Sequence, residues 1–164
     1  MGKARAFPAD GGCTCRFIRY RLLKSPMFVH CCHCTWCQRE SGSAFALNAL
    51  IETNQVELLS GETEEVSTPS NSGRGQKILR CPKCRIAVWS HYAGAGGVAA
   101  FVRVGSLDDP NICPPDIHIF TESRQSWVQL AVGARVVSQY YDRRREWPES
   151  SRSRHQEMMA GKNG

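Results

Sequence analysis

The chain is organised around the sequence CHCTWC at residues 32–37, which places three cysteines at Cys-x-Cys-x-x-Cys spacing. The turn is short enough to bring the sulfurs of Cys32, Cys34 and Cys37 together around one metal ion. Three protein sulfurs leave one position of a tetrahedral zinc ion open, as catalytic zinc sites do. This stretch therefore predicts a reactive zinc ion rather than a purely structural one.

Two other cysteine pairs supply the four sulfurs that a closed tetrahedral zinc site needs. Cys13 and Cys15 lie near the start of the chain, and Cys81 and Cys84 follow more than sixty residues later. Pairs so far apart cannot form a local zinc finger, so the ion would join distant parts of the fold. We therefore predict two zinc ions per chain, the second one structural and without a position for substrate.

Composition favours one domain of ordinary globular type. The chain has 164 residues, 41% of them hydrophobic, and no apolar run approaches the length of a membrane span. Nine cysteines exclude a fully paired disulfide framework, and their Cys-x-Cys and Cys-x-x-Cys spacing is typical of metal ligands in a reducing compartment. We expect a soluble protein that is cytoplasmic, with the nucleus as the other candidate compartment.

Short apolar or alternating segments predict a mainly β fold with little helix. Strands are expected near 16–23, 44–51, 56–59, 86–92, 98–104 and 116–120, with a polar surface loop at 63–76. We divide the chain into an N-terminal arm at 1–10, a zinc-binding β domain at 11–142 and a polar basic tail at 143–164. The Ser-, Glu- and Arg-rich composition of that tail predicts disorder.

The net charge of +6 raises the question of nucleic-acid binding. Much of the excess lies in the tail, at Arg143, Arg144, Arg145, Arg152 and Arg154. A basic tail of this kind is usually a solvated segment, so the charge does not favour nucleic acid as a partner.

A fourth protein ligand would turn the central site into a structural one. Cys31, His33 and Cys113 are the candidates for that role. Neighbouring side chains of an extended segment point in opposite directions, so Cys31 is expected to face away from Cys32 and into the core. His118 alternates with isoleucines, which places it on the opposite sheet face from them. The open and the closed central site both stay possible at this point.

Several motifs together resemble those of one known family. They are GGCTC at 11–15, HCCHCTWC at 30–37, SGSAF at 41–45, CPKC at 81–84, GSLDD at 105–109 and HI at 118–119. Their order is that of the glutathione-dependent formaldehyde-activating enzyme family, which also includes centromere protein V. The resemblance spans roughly residues 11–130.

The resemblance implies a β-tent fold of antiparallel sheets clipped by zinc. It implies a structural zinc on Cys13, Cys15, Cys81 and Cys84, and a catalytic zinc on Cys32, Cys34 and Cys37. The reaction implied is that of a carbon–sulfur lyase, which joins glutathione and formaldehyde as S-(hydroxymethyl)glutathione. Arg16 and Arg85 stand where the family usually has glycine, so a strained or altered turn is expected after each cysteine pair.

Two other interpretations remain. The protein could be a zinc-stabilised binding module without catalysis, which contacts protein or nucleic acid. Alternatively, the family's chemistry could be directed at an electrophile other than formaldehyde, since family likeness alone does not fix a substrate. The sequence does not indicate the oligomeric state.

Overall fold

The computed structural model describes residues 6–162, and most of its regular structure is β. The strands are β1 (Ala9–Gly12), β2 (Arg19–Leu22), β3 (Phe28–Cys32), β4 (Ala46–Glu52), β5 (Val56–Ser60), β6 (Glu64–Thr68), β7 (Gln76–Arg80), β8 (Ala87–Tyr92), β9 (Ala99–Arg103) and β10 (Ile117–Ile119). The helices are α1 (Thr35–Ser41), α2 (Arg143–Glu146) and α3 (Glu149–Gly161). The prediction of a mainly β fold is confirmed.

The strands form two sheets. A three-stranded sheet has the order β1-β2-β5, and a seven-stranded sheet has the order β10-β3-β4-β9-β8-β7-β6. Neighbouring strands are antiparallel, as expected, except that β10 pairs with β3 in parallel. That parallel pair places His118 opposite Cys31.

Strand β3 separates two hydrophobic cores. All five of its residues are buried, and successive side chains of a strand point to opposite faces. Val29 packs in a core that also contains Tyr20 of β2, so this core lies between the two sheets. Phe28 and Cys32 pack in a second core, which contains Trp147 from the C-terminal segment. The three-cysteine stretch therefore leaves the sheet on the face that the C-terminal segment covers.

The predicted disorder of the tail is wrong for residues 143–161, which form α2 and α3. Trp147 lies between these helices, is only 4% exposed, and stacks on Phe28 with ring centroids 5.3 Å apart. The tail contains few apolar residues, so its composition resembles that of a solvated segment. One buried tryptophan nevertheless fixes its position on the sheet.

Polar contacts hold α3 as well. The buried Ser151 hydroxyl donates to the carbonyl oxygen of Met27 at 2.6 Å. Arg154 binds both carboxylate oxygens of Glu52, at 2.9 and 2.6 Å. Serine and arginine here make tertiary contacts, although their abundance led to the prediction of disorder.

Two other predictions concern the chain's start and its polar loop. Residues 1–5 of the predicted N-terminal arm lie outside the described residues, while Ala9 and Asp10 already belong to β1. The predicted loop at 63–76 contains β6, an edge strand whose residues are mostly exposed. Its polar sequence lacks the apolar alternation that marks a strand, and backbone pairing with β7 holds it in place. No helix in the described part of the chain has both the length and the apolar character to cross a membrane.

Candidate metal centres and adjoining cavity

The structure brings Cys13, Cys15, Cys81 and Cys84 together, with all four sulfurs within 4.8 Å of one another. The first pair follows β1 of the small sheet, and the second pair follows β7 of the large sheet. Four cysteine sulfurs at this separation match the ligand set of a closed tetrahedral zinc site. An ion held here would join the two sheets.

Backbone N–H groups around this group favour thiolates. The N–H groups of Cys15 and Ile86 lower the pKa of the Cys84 thiol to about 6. The N–H of Ile18 also donates to the Cys13 sulfur at 3.3 Å. Because a metal binds the thiolate and not the thiol, these donors prepare the sulfurs as ligands.

The turns after the two pairs are left-handed. Arg16 has φ 63° and Arg85 has φ 65°, and their N–H groups donate to the carbonyl oxygens of Cys13 and Cys81. The turn shape that glycine permits is therefore kept, with arginine in a conformation that L side chains rarely adopt. The expectation of a strained turn is confirmed at both positions.

The second group, Cys32, Cys34 and Cys37, also has its sulfurs within 4.8 Å of one another. Cys32 ends β3, Cys34 caps the N-terminus of α1, and Cys37 lies in the helix. The Cys34 sulfur accepts a hydrogen bond from the backbone N–H of Cys37 at 3.4 Å. The short turn from the strand to the capped helix therefore brings the three sulfurs together.

Hydrogen bonds from the other two thiols lower the pKa of Cys34 to about 3. The same coupling raises the pKa of Cys32, because its proton is shared with Cys34. The hydrogen bonds therefore favour the thiolate at Cys34, and the group has the donor set of a three-sulfur metal site.

The three candidates for a fourth ligand lie elsewhere. Cys31 and His33 form a separate group with His118, whose ligand atoms are also within 4.8 Å of one another. His33 Nε2 lies 3.0 Å from His118 Nδ1 and 3.5 Å from the Cys31 sulfur. Cys113 is fully buried in the core between the sheets. Among the described residues, no further Cys, His, Asp or Glu atom joins the group of Cys32, Cys34 and Cys37.

The three sulfurs instead line a cavity of about 560 Å³. A volume of this size accommodates a small organic ligand. His30, which shares a face of β3 with Cys32, lines the same cavity. Burial lowers the pKa of His30 to about 4, so its ring is neutral at physiological pH. The arrangement is a cavity with potential metal ligands on its wall.

Part of this cavity was not predicted from the sequence. His30 had no role beyond its place in a motif, and Trp147 belonged to a tail predicted to be disordered. The Tyr140 hydroxyphenyl ring also belongs to the wall. The aromatic residues at 140, 141 and 147 within a polar segment were the available signal that the tail docks.

These features define a mainly β protein with two cysteine groups that could each hold a metal ion, one between the sheets and one at a cavity. The family model of the glutathione-dependent formaldehyde-activating enzyme matches residues 8–123, so the chain belongs to that family. This confirms the resemblance that the motifs indicated.

The chain is also similar to solved structures. A crystal structure of a Rhodobacter sphaeroides protein has 19% sequence identity and a TM-score of 0.46, and covers 60% of this chain and 87% of its own. No curated protein sequence matches the chain significantly.

Proposed function

We propose that the protein is a zinc-dependent enzyme of the carbon–sulfur lyase type that makes and breaks a thiol adduct, formed from glutathione and formaldehyde or another small electrophile. The observation that carries the proposal is the placement of three clustered cysteine sulfurs on the wall of a cavity. The family membership supports glutathione and formaldehyde as the reactants.

Cys32, Cys34 and Cys37 would hold the reactive zinc, and Cys13, Cys15, Cys81 and Cys84 the structural one. Both donor sets fit, since each offers sulfurs within 4.8 Å of one another. A zinc ion with three protein sulfurs lowers the pKa of a thiol at its fourth position, so that the thiol is a thiolate near neutral pH.

The bond changes need no further reactant. The glutathione sulfur forms a bond to the carbonyl carbon, the carbonyl π electrons move to oxygen, and the thiol proton ends on that oxygen. Arg74 and Arg143 are the cationic residues of the described lining, which has no Asp or Glu, so the lining favours an anionic ligand such as glutathione.

Exchange NMR on the zinc-loaded protein with glutathione and formaldehyde tests the proposal. We expect faster exchange between free glutathione and its hydroxymethyl adduct than in the spontaneous reaction. Cys37→Ser should bind one zinc fewer, keep the β-sheet circular dichroism and lose the acceleration. Cys31→Ala is the matched control, because Cys31 lies outside the three-sulfur group, and it should retain activity. Fully zinc-loaded wild-type protein without any acceleration would contradict the formaldehyde reaction.

The binding-module hypothesis receives less support. This hypothesis requires Cys31, His33 or Cys113 as a fourth ligand of the central site. It also requires a basic tail that is free to contact a partner. Cys31 and His33 group with His118 instead, and Arg154 of the tail pairs with Glu52 on the sheet.

A further inference from the structure

The cavity has a wall that the family match does not include. The match ends at residue 123, but Tyr140, Arg143, Trp147, His155 and Met159 all line the cavity. One side of the candidate active site is therefore built by a segment beyond the matched region. What this segment adds to the cavity therefore lies outside the matched region.

The wall is fixed relative to the cysteines. The Trp147 indole N–H donates to the Tyr141 hydroxyl at 2.6 Å, and that hydroxyl lies 2.6 Å from His30 Nε2. His30 is two residues before Cys32 on the same strand face. A short chain of hydrogen bonds thus connects the C-terminal segment to the strand that carries the first sulfur.

The lining is rich in aromatic rings. They belong to Trp36, Tyr92, Phe101, Phe120, Tyr140 and Trp147. Tyr140 lies with its ring centroid 6.3 Å from that of Phe120, and 55% of the residue stays exposed. Trp36, beside the sulfurs in sequence, is 41% exposed. The single carbon of formaldehyde cannot cover the exposed parts of the Trp36 and Tyr140 rings, whereas a flat conjugated group can stack on them.

The charge of the lining favours a ligand with an anionic group. Arg74 and Arg143 line the cavity, and no carboxylate does so among the described residues. The Arg143 guanidinium lies against the His155 ring and forms no ion pair with an acidic side chain in the described structure. Arg143 is therefore placed to bind an anionic group of a ligand.

We propose that the C-terminal segment, residues 140–159, makes this site selective for thiol adducts whose electrophile-derived group is aromatic and carries a carboxylate. This inference rests on the proposed thiol-adduct function and specifies its substrate class. The Tyr140 ring stacks on the aromatic group of the ligand, and the Arg143 guanidinium pairs with the ligand's carboxylate.

Stable thioether analogues test the selectivity without turnover. Binding of S-methyl-, S-benzyl- and S-(4-carboxybenzyl)glutathione to the zinc-loaded full-length protein is measured by calorimetry. We expect the affinity to rise roughly tenfold from methyl to benzyl, through ring stacking, and roughly tenfold again with the carboxylate. Equal affinity for the three analogues would overturn the proposal.

Three variants assign the selectivity to the segment. Tyr140→Ala should abolish most of the gain from methyl to benzyl, and Arg143→Gln should abolish the gain from the carboxylate. Arg145→Gln is the matched control, because it removes an exposed arginine of the same helix that does not line the cavity, and it should change neither gain. Indistinguishable binding by Arg143→Gln and Arg145→Gln would contradict the assignment of Arg143.

The two proposals fail separately. Graded binding of the analogues supports the selectivity even if the formaldehyde assay shows no acceleration. Equal binding removes the selectivity even if the formaldehyde reaction is catalysed.

Discussion

Replacing Trp147 with alanine should release the C-terminal segment from the sheet without unfolding the domain. A buried tryptophan truncated to alanine costs about 3–5 kcal/mol. At Trp147 this includes roughly 1 kcal/mol for the hydrogen bond to Tyr141 and roughly 0.5–1.5 kcal/mol for the stack on Phe28, and the rest is burial. Because the contact lies between the tail and the sheet, the lost free energy weakens the docking of α3 and not the folding of the sheets.

Hydrogen exchange resolved by peptide measures this loss directly. A factor of ten in exchange corresponds to about 1.4 kcal/mol, so amides of α3 should lose roughly a hundredfold or more of their protection, while β4 and β9 keep theirs. Trp147→Phe keeps a ring on Phe28 but loses the N–H donor. The amides of α3 should therefore lose only about fivefold of their protection from exchange. Tyr141→Phe removes the acceptor of that bond and also the hydrogen bond between the hydroxyl and His30 Nε2. The double variant Tyr141→Phe/Trp147→Phe should lose less protection than the sum of the two single losses, because the shared bond can be lost only once. Unchanged exchange of α3 in Trp147→Ala would refute the docking of the tail.

Three further predictions concern the rest of the fold. Arg16→Gly should raise the free energy of unfolding of the zinc-loaded protein by about 0.5–1 kcal/mol, measured by chemical denaturation. The reason is that relief of about 1–2 kcal/mol of left-handed backbone strain exceeds the entropy cost of glycine. A destabilised variant would contradict the strain. Arg19 holds the pKa of Asp108 below its usual value, so this carboxylate stabilises the fold above the unfolded pKa of about 4, and that contribution is lost as the pH falls through the lower, folded pKa. The stability difference between wild type and Asp108→Asn should therefore be present at pH 7 and vanish in acid, and a difference independent of pH would exclude this ion pair. Cys84→Ser should lower the Tm far more than Cys37→Ser, because the first removes a ligand between the sheets and the second a ligand at the cavity; equal Tm losses would contradict that division.

The cysteine groups could be predicted because ligand spacing is local information. Cys32, Cys34 and Cys37 lie within one strand-to-helix turn, so their proximity follows from sequence distance alone. The four-sulfur group spans the chain, but the count of ligands that zinc requires left the two remaining pairs as natural partners. Even the left-handed turn at Arg16 was visible, as an arginine at a position where glycine is usual.

The C-terminal segment could not be predicted, because its stability depends on partners that sequence does not pair. Ser151 binds a backbone carbonyl of Met27, and Arg154 binds Glu52, each more than a hundred residues away. Neither contact leaves a periodic pattern in the tail. His118 joins Cys31 through the parallel pairing of β10 and β3, a register that no local signal specifies.

The cysteines and the C-terminal segment meet on one face of β3. The face with His30 and Cys32 carries the sulfurs toward the cavity, and the C-terminal segment closes that same face through Trp147 and Tyr141. Under the proposed function, reactivity would come from the family-matched part of the chain, and the shape and charge of the opposite wall from a segment outside it. Such a site can keep its sulfur chemistry while its substrate changes, because a substitution at Tyr140 or Arg143 alters the wall and leaves the three cysteines untouched.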